Sequence, residues 1–324
     1  MSSFKSLTAR ECAERLLLID NPVIFIHVRP DGDAVGSAAA LAEVFSQLGK
    51  SAPIMCDGNI PERLKFVLEH TGATVTKDRG SRTALSIDVP AAAQLGSLKD
   101  TGDMPALMID HHASGSPFAD GYVVADLSSA GEVLYRVILE LIDMGKAELN
   151  EKLAYALYTS ISSDTGRFSY SAATPETYRI AARLMECGID WASINHKLFF
   201  SKPPQQIKAE GIVASRAVLD GSISYATLTL RERESAGLLE EHLETAIEIV
   251  RSISGAETSF FLRETAEGVY KASLRSTRKN VARVAAKFNG GGHILAAGCT
   301  LYGDSIERAA EELLHALKSA EDAK

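Results

Sequence analysis

Residues 22–37 read PVIFIHVRPDGDAVGS, the stretch that decides the fold of the first half of the chain. It begins with a short apolar run, residues 23–27, and passes through a polar turn into an alanine- and leucine-rich segment, residues 35–48. A continuous apolar run of this length is typical of a strand buried on both faces, as in a parallel sheet. The segment that follows has a helical composition and ends at Gly49. The stretch therefore predicts a strand followed by a helix, which is the repeating unit of an α/β fold.

The same alternation continues along the first half of the chain. Residues 84–88 (ALSID) and 106–110 (ALMID) are two further short apolar runs. Helices are predicted from apolar periodicity and start signals over residues 129–142, 151–161 and 174–188. The first of these begins with Ser129-x-x-Glu132, which is a capping-box pattern. We therefore expect an α/β fold whose N-terminal domain has a mostly parallel sheet flanked by helices.

The second half of the chain has a different pattern. A polar, proline-containing stretch at residues 200–206 marks the change, and we predict a linker over residues 200–210 between domains at residues 1–199 and 211–324. Strands are predicted over residues 223–230, 259–263 and 269–274, and helices over residues 234–253, 281–288 and 306–317. Because few helices separate these strands, we expect the second domain to be smaller and of the α+β class.

The composition is that of a folded, acidic protein. The chain has 324 residues, 46% of them hydrophobic, with 34 Lys and Arg against 42 Asp and Glu and a formal net charge of −8. This much apolar material excludes disorder as the main state, and the acidic balance argues against the basic face that binding to long DNA needs. No apolar run approaches the roughly 20 residues that span a bilayer, and the N-terminal residues suit a helix better than a signal peptide.

The cysteines lie far apart in the sequence and form no C-x-x-C pair. They are Cys12, Cys56, Cys187 and Cys299. Such spacing is typical of reduced thiols, so we expect buried cysteines, a cytoplasmic location and no membrane partner.

Polar side chains that can bind metals follow each of the three apolar runs and the helix predicted over residues 151–161. They are His27, Asp31, Asp33, Asp88, Asp110, His111, His112 and Asp164. In open α/β sheets, ligands bind beyond the carboxyl ends of the strands, so we expect these side chains to converge on one crevice. Taken singly, an Asp-Gly-Asp turn, a His-His pair or an Asp at a strand end is usually structural. Four such clusters in one half of a chain favour a functional site.

So many carboxylates would repel one another unless several stayed protonated or bound cations. The carboxylates and imidazoles are more numerous than one ion needs, and they fit two ions that share a bridging carboxylate. Oxygen ligands with some imidazole favour Mn²⁺, with Mg²⁺ and Co²⁺ as alternatives. Two such ions close together activate a water and stabilise an in-line displacement at phosphorus. The pattern thus predicts a site for two divalent metal ions and phosphoryl chemistry.

Four motifs appear in a fixed order along the chain. They are His27-x-x-x-Asp31-Gly32-Asp33-Ala34-x-Gly36-Ser37, Asp88, Asp110-His111-His112 and Ser163-Asp164-Thr165-Gly166. This series resembles the DHH phosphoesterase family. The resemblance implies that His27 and Asp31 hold one ion, that Asp33, His111 and Asp164 hold the second, and that Asp88 bridges the two.

The resemblance also implies roles for the remaining residues of these motifs. Asp110 would orient His111 or the waters on the metals, and His112 would contact the scissile phosphate and stabilise the leaving oxygen. Asp88, Asp110 and His112 would then be the catalytic residues. Arg167, Phe168 and Tyr170 follow the last motif, where the sequence fits either a stacking or phosphate-binding role or, for Phe168, plain packing.

A glycine run near the C-terminus carries a second resemblance. Residues 290–298 read GGGHILAAG, and with the preceding Arg275-Ser276 they resemble the DHHA1 domain that accompanies the DHH domain in this family. Three glycines let a backbone approach a ligand closely, and their N–H groups can form an anion-binding nest. A glycine-rich turn between helix and strand is the structural alternative. The resemblance implies substrate binding by Arg275, Ser276, Gly291, Gly292 and His293.

The compact two-domain layout resembles the NrnA-type members of this family. It implies a metal-dependent enzyme that hydrolyses short oligonucleotides to mononucleotides, with removal of the 3′-phosphate of 3′-phosphoadenosine 5′-phosphate as a second activity. Two alternatives remain open. One is a stand-alone phosphodiesterase for dinucleotides such as pApA and c-di-AMP, and the other is a catalytically inactive nucleotide-binding regulator.

The expected partner is a short oligonucleotide or a small phosphorylated nucleotide. Two divalent ions would only halve the net charge of −8, and the remaining negative surface disfavours long duplex DNA, which depends on many backbone contacts. The sequence does not specify the oligomeric state, for which a homodimer is one candidate.

Overall fold

The computed structural model describes residues 4–113, 115–243 and 245–322, and for His293 it describes the backbone alone. Contacts within the chain divide it into two compact units, Met1–Ser201 and Lys202–Lys324. We call them the first unit and the second unit. Each has its own sheet and its own hydrophobic core, as separate domains require.

The first unit is an α/β domain. Its strands are β1 (Pro22–Phe25), β2 (Ile54–Met55), β3 (Thr83–Ile87), β4 (Met108–Asp110) and β5 (Gly121–Val123). Its α-helices are α1 (Ala9–Leu18), α2 (Gly32–Gln47), α3 (Lys65–Thr71), α4 (Ala130–Asp143), α5 (Glu151–Asp164), α6 (Pro175–Glu186) and α7 (Trp191–Phe199). Short 3₁₀ segments cover Glu62–Leu64 and Ala92–Asp100.

The strands of the first unit form a parallel sheet in the order β2-β1-β3-β4-β5. Parallel pairing places the carboxyl ends of β1, β3 and β4 at the same edge of the sheet. The predicted α/β fold with a parallel sheet flanked by helices is therefore confirmed.

Alternate residues along β1 and its extension pack against opposite faces of this sheet. Ile24 and Ile26 join the core that α1, α2, α4 and α5 cover, whereas Val23 and Phe25 join a smaller core closed by the 3₁₀ segment Ala92–Asp100. All four side chains are buried. Burial on both faces explains why the strand reads as a continuous apolar run and not as an alternating pattern.

The second unit combines a mixed sheet with helices. Its strands are β6 (Val218–Asp220), β7 (Ile223–Leu228), β8 (Thr258–Ala266), β9 (Val269–Ser276), β10 (Gly291–His293) and β11 (Ala296–Tyr302). Its α-helices are α8 (Pro204–Arg216), α9 (Leu230–Ser235), α10 (Ala246–Arg251), α11 (Val281–Ala286) and α12 (Ile306–Lys318). A 3₁₀ segment covers Glu240–Leu243.

The sheet of the second unit has the order β10-β11-β9-β8-β7-β6. Neighbouring strands are antiparallel except β7 and β8, which are parallel. One face carries α11 and α12, and the other carries α8 and α10. The predicted α+β class of the smaller domain is confirmed.

Two sequence predictions for this unit need correction. Much of the stretch assigned to the linker, residues 200–210, is helical, because α8 begins at Pro204 in the favourable first helical position and buries Ala209 and Val213. The long helix predicted over residues 234–253 is wrong. The structure has α9, a 3₁₀ segment and α10 instead, because Gly237 takes a left-handed conformation (φ 67°) directly after α9.

Two further predictions concerned buried cysteines and the lack of a membrane-spanning segment. Cys12, Cys56 and Cys299 are buried, Cys187 is half-buried, and all four thiols are free. Among the described helices, none combines the length and the apolar character needed to cross a bilayer.

Candidate functional site

The predicted metal-binding residues of the first unit lie at the carboxyl edge of its sheet. His27 follows β1 by two residues, Asp88 comes directly after β3, and Asp110 ends β4. The other members of the set come from this same edge or from helix termini. His111 and His112 follow β4, Asp31 caps α2, Asp33 lies in its first turn, and Asp164 ends α5.

The helices α2 and α5 bring their acidic ends together by close, antiparallel packing. A Cβ atom on Gly36 would lie 2.7 Å from the backbone N of Ser160 and 2.8 Å from the carbonyl oxygen of Ala156. One turn nearer the site, a Cβ on Gly32 would meet the side chain of Ser163, whereas the contacts at Gly36 are with backbone atoms. Only glycine permits this backbone approach. The start of α2 therefore lies beside the end of α5, where Asp164 is the last residue.

The side chains form two groups, each built around a histidine. In the first group, His27 Nε2 lies 3.9 Å from Asp31 Oδ1 and 3.6 Å from Asp88 Oδ2. In the second, His111 Nε2 lies 3.5 Å from Asp33 Oδ2 and 3.6 Å from Asp164 Oδ2. These separations are too long for good hydrogen bonds. They match the roughly 3–4 Å between two ligands that each lie about 2.1 Å from a common ion.

Asp88 stands between the two groups. Its Oδ2 faces His27, whereas its Oδ1 lies 3.7 Å from His111 Nε2. The side chain is buried, and Oδ1 has no hydrogen-bond partner among the described residues. A buried carboxylate oxygen without a partner is costly unless a cation compensates it. The donor set therefore fits metal ions.

The backbone at Asp88 is also unusual. Its φ of 57° lies in the left-handed region, which is uncommon outside glycine, asparagine and aspartate. Such conformations cost free energy and are concentrated at functional sites. This turn directs the Asp88 carboxylate back over the edge of the sheet, between the two histidines.

The electrostatics of the metal-free site oppose full ionisation. Burial, and then the neighbouring Asp33 carboxylate, raise the pKa of Asp88 well above its ordinary value. The same two causes raise the pKa of Asp164 well above its usual range. Burial also lowers the pKa of His27. At neutral pH these groups therefore favour a bound cation over solvent, which matches the chemistry of a divalent metal site.

Backbone groups that the sequence analysis did not identify hold two of these side chains. Asp33 accepts hydrogen bonds from the amides of Ala130 (2.8 Å) and Gly131 (3.2 Å) and from the hydroxyl of Ser160. His111 donates from Nδ1 to the carbonyl oxygen of Leu127 at 3.2 Å, which leaves Nε2 as its metal-binding atom. The predicted start of α4 was the sequence feature from which the contacts to Asp33 could have been inferred, because a helix N-terminus offers free amides to a carboxylate.

Glu132 anchors the segment that carries these backbone groups. Ser129 accepts a hydrogen bond from the Glu132 amide at 3.1 Å, as the capping-box pattern predicts. The Glu132 side chain, however, does not complete the box. Its buried Oε2 accepts from the hydroxyls of Ser128 (2.5 Å) and Thr177 (3.0 Å) and so ties the start of α4 to α6.

Asp110 and His112 form a separate pair. His112 Nδ1 donates to Asp110 Oδ1 at 2.9 Å, and Asp110 is buried. The same Nδ1 lies 3.7 Å from Asp88 Oδ1. A nitrogen that donates to Asp110 cannot also bind a metal, so Nε2 is the atom of His112 left for contact with a metal or a substrate. Asp88, His111 and His112 also lie close enough together to hold an ion. Asp110 was also predicted to orient His111, but in the structure the carbonyl oxygen of Leu127 makes that contact.

In the second unit, Arg275 and Ser276 lie at the end of β9. The Arg275 guanidinium lies 3.6 Å from Glu248 Oε1 and donates to the carbonyl oxygen of Leu274. The Ser276 hydroxyl accepts from the amides of Arg278 and Lys279 and donates to the carbonyl oxygen of Glu257. Ser276 is thus engaged in holding the turn after β9, which makes direct contact with a ligand less favourable.

The glycine run contributes a short strand, β10, and not only a loop. A Cβ on Gly292 would lie 2.6 Å from the carbonyl oxygen of Ala296, and Gly290 faces Gly298 even more closely. The hairpin with β11 thus explains these two glycines. At Gly291, a Cβ would meet nothing within 4 Å among the described atoms. The backbone of His293 belongs to β10, and its side chain lies outside the described parts.

Comparison with known proteins identifies the family. The model of the DHH family, N-terminal domain, matches residues 21–161, and the model of the DHHA1 domain matches residues 221–320. The chain is 33% identical to the bifunctional oligoribonuclease and PAP phosphatase NrnA of Thermus thermophilus, over 95% of this chain and 93% of that protein. The chain belongs to the DHH family.

Two further proteins are similar to this chain over nearly its whole length. The chain is 25% identical to the bifunctional oligoribonuclease and PAP phosphatase NrnA of Bacillus subtilis, over 94% of this chain and 96% of that protein. An exopolyphosphatase-related protein from Bacteroides fragilis has a similar structure, with a TM-score of 0.87, 27% identity and coverage of 96% of this chain and 95% of that one. These similarities cover nearly all of this chain and therefore extend through both units.

Proposed function

We propose that this chain is a metal-dependent phosphoesterase that hydrolyses short oligonucleotides to mononucleotides and removes the 3′-phosphate of 3′-phosphoadenosine 5′-phosphate. Two relatives that match nearly the whole chain, at 33% and 25% identity, are named for these two activities. The observation that carries the proposal is the buried Asp88 carboxylate, whose two oxygens face separate groups of metal-binding side chains.

Two divalent ions, most suitably Mn²⁺, would be held by this chain. His27 and Asp31 would bind one ion, and Asp33, His111 and Asp164 would bind the other. Asp88 would contact both. Mixed oxygen and imidazole donors support Mn²⁺, with Mg²⁺ or Co²⁺ as alternatives. Bound ions supply Lewis-acid activation of water and neutralise charge on the phosphoryl oxygens.

His112 would act at the leaving group. Asp110 accepts the Nδ1 hydrogen of His112 and holds the ring in one orientation. This pairing makes Nε2 the atom that can donate a proton to the departing oxygen, and the buried carboxylate stabilises the imidazolium before that transfer. Asp33 and His111 are held by backbone groups, so these two metal-binding side chains need little rearrangement when the substrate binds.

The second unit would contribute substrate-binding groups. Arg275 and His293 would supply positive or hydrogen-bonding groups, and Gly291 and Gly292 would let the substrate approach the backbone. Ser276 would support the turn beside Arg275, because its hydroxyl already serves neighbouring backbone groups. The open space at the Cβ position of Gly291 supports close approach of a ligand.

Replacing Gly291 by Val tests this substrate-binding role. A Cβ at this position meets no described atom within 4 Å, so the fold should persist, while the valine side chain fills space that the substrate would use. Loss of one contact to a charged phosphate costs about 1.5–3 kcal/mol. We therefore expect KM for a short RNA to rise about tenfold or more, with kcat little changed. Gly303→Val is the control, because Gly303 also has open space at Cβ and lies beyond the far end of β11. An unchanged KM in Gly291→Val would contradict the assignment.

The proposed activity is tested with a substrate panel. The protein is stripped of metal by a chelator, reloaded with Mn²⁺, and assayed on a trinucleotide RNA, pApA, c-di-AMP and 3′-phosphoadenosine 5′-phosphate. We expect the metal-loaded protein to release mononucleotides from the RNA and to form AMP from 3′-phosphoadenosine 5′-phosphate, whereas the stripped protein does neither. Turnover of pApA or c-di-AMP alone would favour the dinucleotide phosphodiesterase. Well-folded, metal-loaded protein that turns over none of them would support the nucleotide-binding regulator.

The thiols support a location for this enzyme. Because all four cysteines are free, a reducing compartment suits the chain, and we assign it to the cytoplasm.

A further inference from the structure

The turn after the metal-site residue Asp164 is strained. Gly166, Arg167 and Phe168 are three consecutive residues in the left-handed region, with φ values of 54°, 59° and 63°. Two of them have side chains, for which this conformation is unfavourable. Hydrogen bonds hold the turn, among them that from the Arg167 amide to the carbonyl oxygen of Ser162 at 2.8 Å. A strained conformation persists only where its surroundings impose it, so this turn is a candidate for a function.

The strained turn places the Arg167 side chain against two aromatic rings. Its Cζ lies 5.0 Å from the ring centroid of Phe199 and 4.7 Å from that of Phe200, at the end of α7. Both distances are typical of cation–π contacts. Such contacts fix the plane of the guanidinium without neutralising its charge, and they leave its N–H edges available for an anion such as a phosphate.

The charge of Arg167 remains uncompensated although acidic groups are near in sequence. Asp164 is three residues away in the sequence, and the Asp31 and Asp33 carboxylates act on it electrostatically. Within the described part of the chain, Arg167 lies within 4.0 Å of no carboxylate oxygen. The side chain is exposed. The aromatic rings thus hold an exposed cation three residues after the metal-site residue Asp164.

We propose that Arg167, stacked on Phe199 and Phe200, binds a second, non-scissile phosphate of the substrate. The proposal rests on the proposed function and names which substrates suit this site. A short RNA, pApA and 3′-phosphoadenosine 5′-phosphate all carry a second phosphate beside the one that reacts. A planar guanidinium binds such a phosphate through two parallel N–H donors. The metal groups hold the reacting phosphate, and Arg167 selects substrates that carry another one.

The test compares substrates that differ only in the second phosphate. The pairs are 3′-phosphoadenosine 5′-phosphate with adenosine 3′-phosphate, and pApA with ApA. In Arg167→Gln we expect KM for the doubly phosphorylated member of each pair to rise about tenfold, while kcat and the KM of its partner stay unchanged. Arg167→Lys should recover only part of the preference, because lysine keeps the charge but lacks the planar fork.

Arg179→Gln is the matched control. Arg179 is an exposed arginine of the same unit, and it pairs with Glu176 on α6 at 2.9 Å. We expect this variant to behave as the wild type on all four substrates. Equal loss of kcat on both members of a pair in Arg167→Gln would overturn the proposal in favour of a contact at the reacting phosphate. An unchanged preference for the second phosphate would also overturn it.

A binding measurement separates this proposal from the proposed function. If the wild type turns over no substrate, calorimetric titration with 3′-phosphoadenosine 5′-phosphate and with adenosine 3′-phosphate still reports on Arg167. About tenfold weaker binding of the first ligand alone in Arg167→Gln would support the phosphate site in a protein without catalysis. Equal affinities of wild type and variant for the first ligand would reject it.

Discussion

Replacement of Asp88 by Asn is expected to remove at least about 99% of the phosphoesterase activity, since even residues that only support metal ligands contribute about 10- to 100-fold. Asn fits the left-handed backbone at this position, where φ is 57°, so the turn should be kept. The substitution removes the charge that faces both His27 and His111. We expect equilibrium dialysis to show fewer bound Mn²⁺ ions per chain than in the wild type.

The same variant should be more stable than the wild type when both lack metal. Burial and the nearby carboxylates raise the pKa of Asp88 in the folded protein. The folded state therefore holds more protons than the unfolded state once the pH exceeds the ordinary carboxyl pKa of about 4, and stability falls as the pH rises. Asn removes this contribution, so the metal-free variant should have a higher Tm at neutral pH and a shallower decline with pH. Part of the decline of stability with pH should remain in the variant, because Asp33 and Asp164 also have raised pKa values.

A surface substitution controls for the loss of one negative charge. Asp20→Asn changes a side chain that is 95% exposed, and it should alter neither Mn²⁺ binding nor activity. If Asp88→Asn retained full activity and normal Mn²⁺ stoichiometry, Asp88 would not bridge two ions. A lower Tm for the metal-free variant would show that the carboxylate stabilises the fold by itself.

Replacement of Gly36 by Ala is expected to destabilise the first unit although alanine is the better helix former. The added methyl group would lie 2.7 Å from the Ser160 backbone nitrogen, a contact that neither helix can relieve by a side-chain rotation. Overpacking of this kind costs about 1–3 kcal/mol. Ser160 also donates to Asp33, so separation of α2 from α5 should weaken Mn²⁺ binding as well. Urea unfolding followed by the fluorescence of Trp191, the single tryptophan, measures the stability of this unit.

A second helical glycine isolates the effect of helix propensity. Gly211 lies within α8, is exposed, and has open space at its Cβ position. Gly211→Ala should therefore stabilise the second unit by about 0.5–1 kcal/mol, as followed by circular dichroism. We therefore expect Gly36→Ala to lower the free energy of unfolding and Gly211→Ala to raise it. A stabilising Gly36→Ala would mean that the two helices do not pack as closely as the structure shows.

Local patterns were enough to predict the architecture of the first unit. Strands such as β1 are apolar on both faces, and helix start signals at Ser129 and Pro175 are read from neighbouring residues. The longest error, the single helix predicted over residues 234–253, arose where apolar spacing continued across Gly237. A left-handed glycine ended the helix there, while short separate pieces buried the same apolar side chains against one core.

The residues of the candidate site were also accessible from the sequence, because strand ends of a parallel sheet share one edge. The groups that hold those residues were not. The Leu127 carbonyl and the amides at the start of α4 act through the backbone, which carries no residue-type signal. For Ser276 the motif predicted a contact with a ligand. In the structure its hydroxyl accepts a hydrogen bond from the Lys279 amide and so supports the turn after β9.

The sequence by itself determined the class of fold and the kinds of side chain available for chemistry, because both depend on periodicity and residue type over short stretches. Only the tertiary structure decided that the two oxygens of Asp88 face different histidines, and that Arg167 lies on Phe199 and Phe200 and not on a carboxylate. These arrangements join segments tens of residues apart. Their geometry is set by how closely α2, α5 and α7 can pack, which no local pattern contains.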